Sequence, residues 1–95
     1  MKVGFHPAAA EEFQQTADFY ERRVEGLGER FIVELEQTTL LLSERPELGA
    51  VYQTHYRRML MARFPFSVVY RVAPDEIQII AVAHQRQQPG YWVGR

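Results

Sequence analysis

The chain has 95 residues, 46% hydrophobic and 24% charged, with a formal net charge of -1, three histidines and no cysteine. These proportions suit a single globular domain over residues 1–95 and argue against wholesale disorder or a disulfide framework. No apolar run approaches membrane-spanning length and Met1-Lys2-Val3 does not read as a signal peptide, so a cytoplasmic protein is expected.

Lys2 to Phe5 reads as a short strand, and Pro7 suits the first turn of a helix, where its missing N–H costs nothing. Ala10, Phe13, Ala17, Tyr20 and Val24 recur at three- and four-residue steps, the stripe of an amphipathic helix. Glu11 and Glu12 are placed in its first turn and Arg22-Arg23 in its last, as the helix dipole favours. Gly26-Leu27-Gly28 breaks it. A second helix is predicted from about 29 to 43, with Phe31, Leu35, Thr38 or Thr39, and Leu42 on its buried side, and Pro46 stops it. So short a break makes the pair an antiparallel hairpin.

After a loop at Pro46-Glu47-Leu48-Gly49, Val51-Tyr52 can begin the sheet, and Arg57 to Ala62 reads as a strand with poorly separated faces. In the next strand, Phe64 to Val72, the residues Phe66, Val68, Tyr70 and Val72 share one face and Ser67, Val69 and Arg71 the other. Ala73-Pro74-Asp75-Glu76 turns the chain into a last strand, Ile77 to His84. Both alternating sets there are apolar (Ile77, Ile79, Ala81 and Ala83; Ile80 and Val82), so both faces need cover. The hairpin covers one, and the C-terminal tail or a partner must cover the other. The pattern β-α-α-β-β-β predicts an α+β fold, a helical hairpin on a mainly antiparallel sheet.

Charge divides unevenly. Residues 1–50 carry five basic and ten acidic side chains; residues 51–95 carry six arginines against Asp75 and Glu76. An arginine excess suits bidentate contact with carboxylate or phosphate, and equally suits strands that merely solvate their outer side chains. With the histidines far apart and no cysteine, no metal site is expected, and Gly26 and Gly28 follow no strand and make no dinucleotide fingerprint. No cofactor is expected.

Val82-Ala83-His84-Gln85-Arg86 followed by Pro89-Gly90-Tyr91-Trp92, the run from Arg63 to Tyr70, and Phe5-His6-Pro7-Ala8 with Phe19-Tyr20 resemble, in order, the RelE/ParE toxin superfamily of bacterial type II toxin–antitoxin systems. That resemblance implies a growth-inhibiting toxin neutralised by a cognate antitoxin protein. A ParE-like member inhibits DNA gyrase by binding and needs no catalytic residues; a RelE-like member cleaves mRNA on the ribosome. Metal-free RNA cleavage needs a base, an acid and cations for the phosphate. His84 can serve as acid or base, Arg63 and Arg86 can hold the phosphate with Arg57 or Arg58 extending that hold, and Tyr91 and Trp92 can donate or stack. In the binding reading His84 instead caps its strand and Arg86 pairs with a helix carboxylate. RelE-type nucleases tend to carry lysines among these residues, and residues 51–95 have none. Either way, Arg57, Arg58, Arg63, Arg86, Tyr91 and Trp92 form the expected surface for antitoxin or target. It would be a guanidinium-lined patch beside an open apolar sheet, bound at nanomolar affinity or better, about -12 kcal/mol.

Overall fold

The computed structural model describes residues 1–95 and orders them as β1 (Lys2–Phe5), α1 (Pro7–Arg23), α2 (Leu27–Glu44), β2 (Ala50–Tyr52), β3 (Tyr56–Leu60), β4 (Phe66–Val72) and β5 (Glu76–His84). One sheet holds all five strands in the order β1-β5-β4-β3-β2. β1 runs parallel to β5 and every other neighbour is antiparallel. This is the expected hairpin-on-sheet α+β fold with one strand more: Ala50–Tyr52 forms a short edge strand of its own on β3.

At the start of α1 the His6 Nδ1 accepts the Ala8 N–H at 3.0 Å, and Pro7 follows in the first helical position. Glu11 and Glu12 therefore fall in the second turn, a correction to their expected place in the first. The inward stripe is Ala9, Phe13, Ala17 and Tyr20; Ala10 is exposed, and Val24 has left the helix at its C-cap. Both Glu21 carboxylate oxygens cap the break, accepting from Gly26 N–H at 2.8 Å and Gly28 N–H at 3.0 Å. α2 thus begins at Leu27 and includes Gly28. A Cβ there would lie 2.4 Å from the Ala17 carbonyl oxygen, so only glycine lets the helices meet this closely.

Phe31 sits at the centre of the layer between hairpin and sheet, its ring centroid 5.7, 5.1 and 5.4 Å from those of Tyr20, Phe64 and Phe66. Offset and edge-on rings at such separations add to what their burial contributes. The buried Tyr70 hydroxyl donates to the Pro46 carbonyl at 2.8 Å and accepts the Gly49 N–H at 2.9 Å, which ties the α2–β2 loop to the sheet.

β5 departs from strict alternation. Its register on β4 slips between Val69 and Tyr70, which face Ala81 and Ile79, so Ile80 is an extra residue. The bulge turns Ile77, Ile79 and Val82 toward the hairpin and leaves Ile80 and Ala81 together on the opposite face. The tail covers that opposite face. Trp92, 1% exposed, packs with Val69, Ile80 and Ala81, and its ring lies 4.6 Å from Tyr56 and 5.7 Å from Tyr52. Of the two covers expected for this face, tail or partner, the tail supplies it, and the expected open apolar sheet is corrected accordingly: the chain seals its own centre, and Trp92 is core, unable to stack on a base or a partner while it stays there.

Candidate functional site

Strand β1 has four residues and pairs only with Glu76 to Ile79, so the outer edge of β5 has no strand neighbour beyond that point. Side chains close it. Glu12 Oε1, on α1, accepts the Val82 N–H at 3.0 Å; Arg95 donates to the Ile80 carbonyl at 3.2 Å; Gln87 Oε1 accepts the His84 N–H at 2.8 Å. The second Glu12 oxygen accepts from the Tyr91 hydroxyl at 2.8 Å and from the Arg95 guanidinium at 2.9 Å, the one ion pair of the chain. Burial, then the hydrogen bond to Glu12 and the charge of that carboxylate, push the Tyr91 phenol well above the ordinary tyrosine value. Its hydrogen bond to Glu12 holds the Arg95 guanidinium still more firmly protonated.

His84 ends β5 opposite Phe66, with the rings 5.0 Å apart and nearly perpendicular. Its Nδ1 accepts the Arg86 N–H at 3.0 Å, and its carbonyl accepts the Gln87 N–H, so the imidazole braces the turn leaving the strand. With Nδ1 an acceptor, the neutral ring carries its proton on Nε2.

The arginines do not gather. Arg57 and Arg58 are consecutive in β3 and leave opposite faces. Arg57 is spent on structure, donating to the Gly49 carbonyl at 2.8 Å and the Glu47 carbonyl at 3.2 Å. Arg58 lies over the Tyr52 ring at 4.3 Å and shares a small cleft with Ser67, His84 and Trp92. Arg63 and Phe64, in the β3–β4 loop, line a groove of about 890 Å³ with Arg30, Val33 and Glu34 of α2. Arg86 projects from an exposed turn and pairs with no helix carboxylate, which corrects the expected pairing; the one ion pair to a helix, at Glu12, is made by Arg95. The single guanidinium-lined patch is thereby corrected to separate positions. Of the residues picked from the sequence, only Arg58, His84, Tyr91 and Trp92 border one cleft.

The family model described as "ParE toxin of type II toxin-antitoxin system, parDE" matches residues 3–89. The chain belongs to the ParE toxin family. A solved structure titled "Chromosomal ParDE TA system from P. aeruginosa" superposes with a TM-score of 0.64 at 20% identity, covering 88% of this chain and 95% of that one, a likeness of fold. Among curated proteins no relative matches. This ParE-family chain is a type II toxin by membership, and no helix in it is long and apolar enough to cross a membrane.

The family match stops at Pro89, so Tyr91, Trp92 and Arg95 lie beyond it. Sequence reading missed Glu12, whose partners are 70 to 83 residues away, and with it Arg95. One signal was available: a four-residue first strand cannot cover a nine-residue last one, and the surplus edge needs an acceptor from the helix that follows.

Proposed function

We propose that this ParE-family chain acts by binding, as an inhibitor of DNA gyrase, and is held silent by a cognate antitoxin. The observation that carries the binding mode is the state of the groups a nuclease would need. The His84 Nδ1 is occupied by its own turn, the Tyr91 hydroxyl by Glu12, and Arg57 by main-chain carbonyls, while Arg63 and Arg86 stand apart. Preorganised cations converging on one phosphate are the requirement for phosphodiester cleavage, and that convergence is lacking. Because Trp92 fills the sheet's second face, the antitoxin's acidic and apolar side chains are assigned to the groove where Arg63 and Arg30 flank Val33 and Phe64.

Purified toxin tested in parallel on gyrase supercoiling and on ribosomes translating a defined mRNA separates the two modes. The expected result is loss of supercoiling with intact message. Codon-located cleavage, abolished by His84→Ala, would replace this reading with the ribosome-dependent mRNA endonuclease. Arg63→Glu is expected to weaken capture by the antitoxin without unfolding the chain.

A further inference from the structure

Residues 88–95 bring Trp92 onto the sheet with no main-chain hydrogen bond to the rest of the domain. Their backbone bonds, Val93 N–H to the Gly90 carbonyl and Arg95 N–H to the Trp92 carbonyl, stay within the segment. Everything polar that joins the segment to the body passes through two side chains, Tyr91 and Arg95, and ends on Glu12 or on the Ile80 carbonyl. Gly90 and Gly94 have φ of +85° and +96°, a region that glycine enters and leaves at little cost, so the segment carries its own pivots. Beneath it lie Val69, Ile80 and Ala81, each at most 2% exposed.

We propose that residues 88–95 are a strap that opens as a unit, fastened by the Glu12 carboxylate, and that opening uncovers the apolar strip Val69–Ile80–Ala81 and the Ile80 carbonyl while the hairpin side of the core stays packed. Segments with few main-chain bonds to their surroundings open below the free energy of global unfolding. A single carboxylate carries two of the three tail bonds, so its loss leaves the segment with only the Arg95 bond to the Ile80 carbonyl, at 3.2 Å the longest of the three. Val82 N–H remains capped by Glu12 in the open form, because that bond belongs to α1 and not to the strap.

The test uses the absence of native cysteine in the full chain. Val69→Cys places a thiol under Trp92, and Val68→Cys places one on the neighbouring residue facing the hairpin. Thiol labelling under native conditions is expected to be roughly tenfold or more faster at Val69→Cys, since only that site opens with the strap. Adding Glu12→Gln, which keeps an acceptor for Val82 but discharges the clasp, is expected to speed Val69→Cys labelling by about ten- to a hundredfold. Arg95→Gln attacks the same clasp from the tail and serves should Glu12→Gln fold poorly. Equal labelling of the two sites in every background, or a Val69→Cys rate that neither clasp variant moves, would overturn the strap.

Discussion

The sheet has two places where an outer strand is too short for its neighbour, and the chain treats them differently. On the β1 side, the exposed edge of β5 is closed at three successive points by Glu12, Arg95 and Gln87. On the β2 side, β2 pairs only with Tyr56 to Arg58, and past it one helix carboxylate serves: Glu34 Oε2 accepts Ala62 N–H at 2.8 Å and Arg63 N–H at 3.2 Å. Leu60, between Arg58 at the end of the β2 pairing and Ala62, stays 56% exposed. Each helix of the hairpin thus lends a glutamate to main-chain N–H groups that no strand pairs, α1 on the open edge of β5 and α2 in the β3–β4 loop just past the end of β3. The difference is what else the glutamate holds. Glu34 holds a loop, whereas Glu12 also holds the tail, and through it the cover of the sheet's second face. The same local device therefore carries unequal weight.

The largest expected effect breaks the cover itself. Trp92→Ala removes a fully buried ring and should cost about 3–5 kcal/mol in urea unfolding, the range for large aromatic truncations. Next comes the comparison of the two glutamates. Glu12→Ala removes charge-assisted bonds to Tyr91 and Arg95 as well as the Val82 cap, with an expected loss of about 2–3 kcal/mol; Glu34→Ala removes two exposed bonds, with a loss of about 1 kcal/mol. Equal losses at the two sites would erase the asymmetry.

How far the sequence revealed this depends on the range of the interaction. β4 was legible because its alternation is local: Phe66, Val68 and Tyr70 do face the hairpin and Val69 does not. β5 was legible as a strand but not in its faces, since an all-apolar run gives no sign of which residue is the extra one, and Ile80 proved to be it. The α1 stripe was off by one at its start because Ala9 and Ala10 are indistinguishable until the helix phase is known. Arg57 and Arg58 looked like neighbours in a patch, yet adjacency in a strand separates side chains. Family membership was readable from ordered motifs over nearly the whole chain, and the match over residues 3–89 agrees. The clasp was not readable, because it joins the second turn of α1 to the last residue across the whole length of the chain.

The smallest effect sharpens the comparison through pH. Burial and the Glu12 charge raise the Tyr91 phenol above its ordinary value, so the folded state keeps its proton where the unfolded chain releases it. The sign follows directly. The stabilisation is fully present below about pH 10, the ordinary tyrosine value, and is lost as pH climbs from there toward the folded-state value. Tyr20 and Tyr70 are raised by burial as well and contribute in the same direction, so the wild-type slope above pH 10 is a sum of three. Tyr91→Phe keeps the ring and deletes the ionisable group, so it should make that alkaline slope shallower without abolishing it. Urea midpoints at pH 8 and pH 11 for wild type, Tyr91→Phe and Glu34→Ala supply the check: only the first variant should change the difference between the two pH values, because only the β5 edge couples its glutamate to a tyrosine.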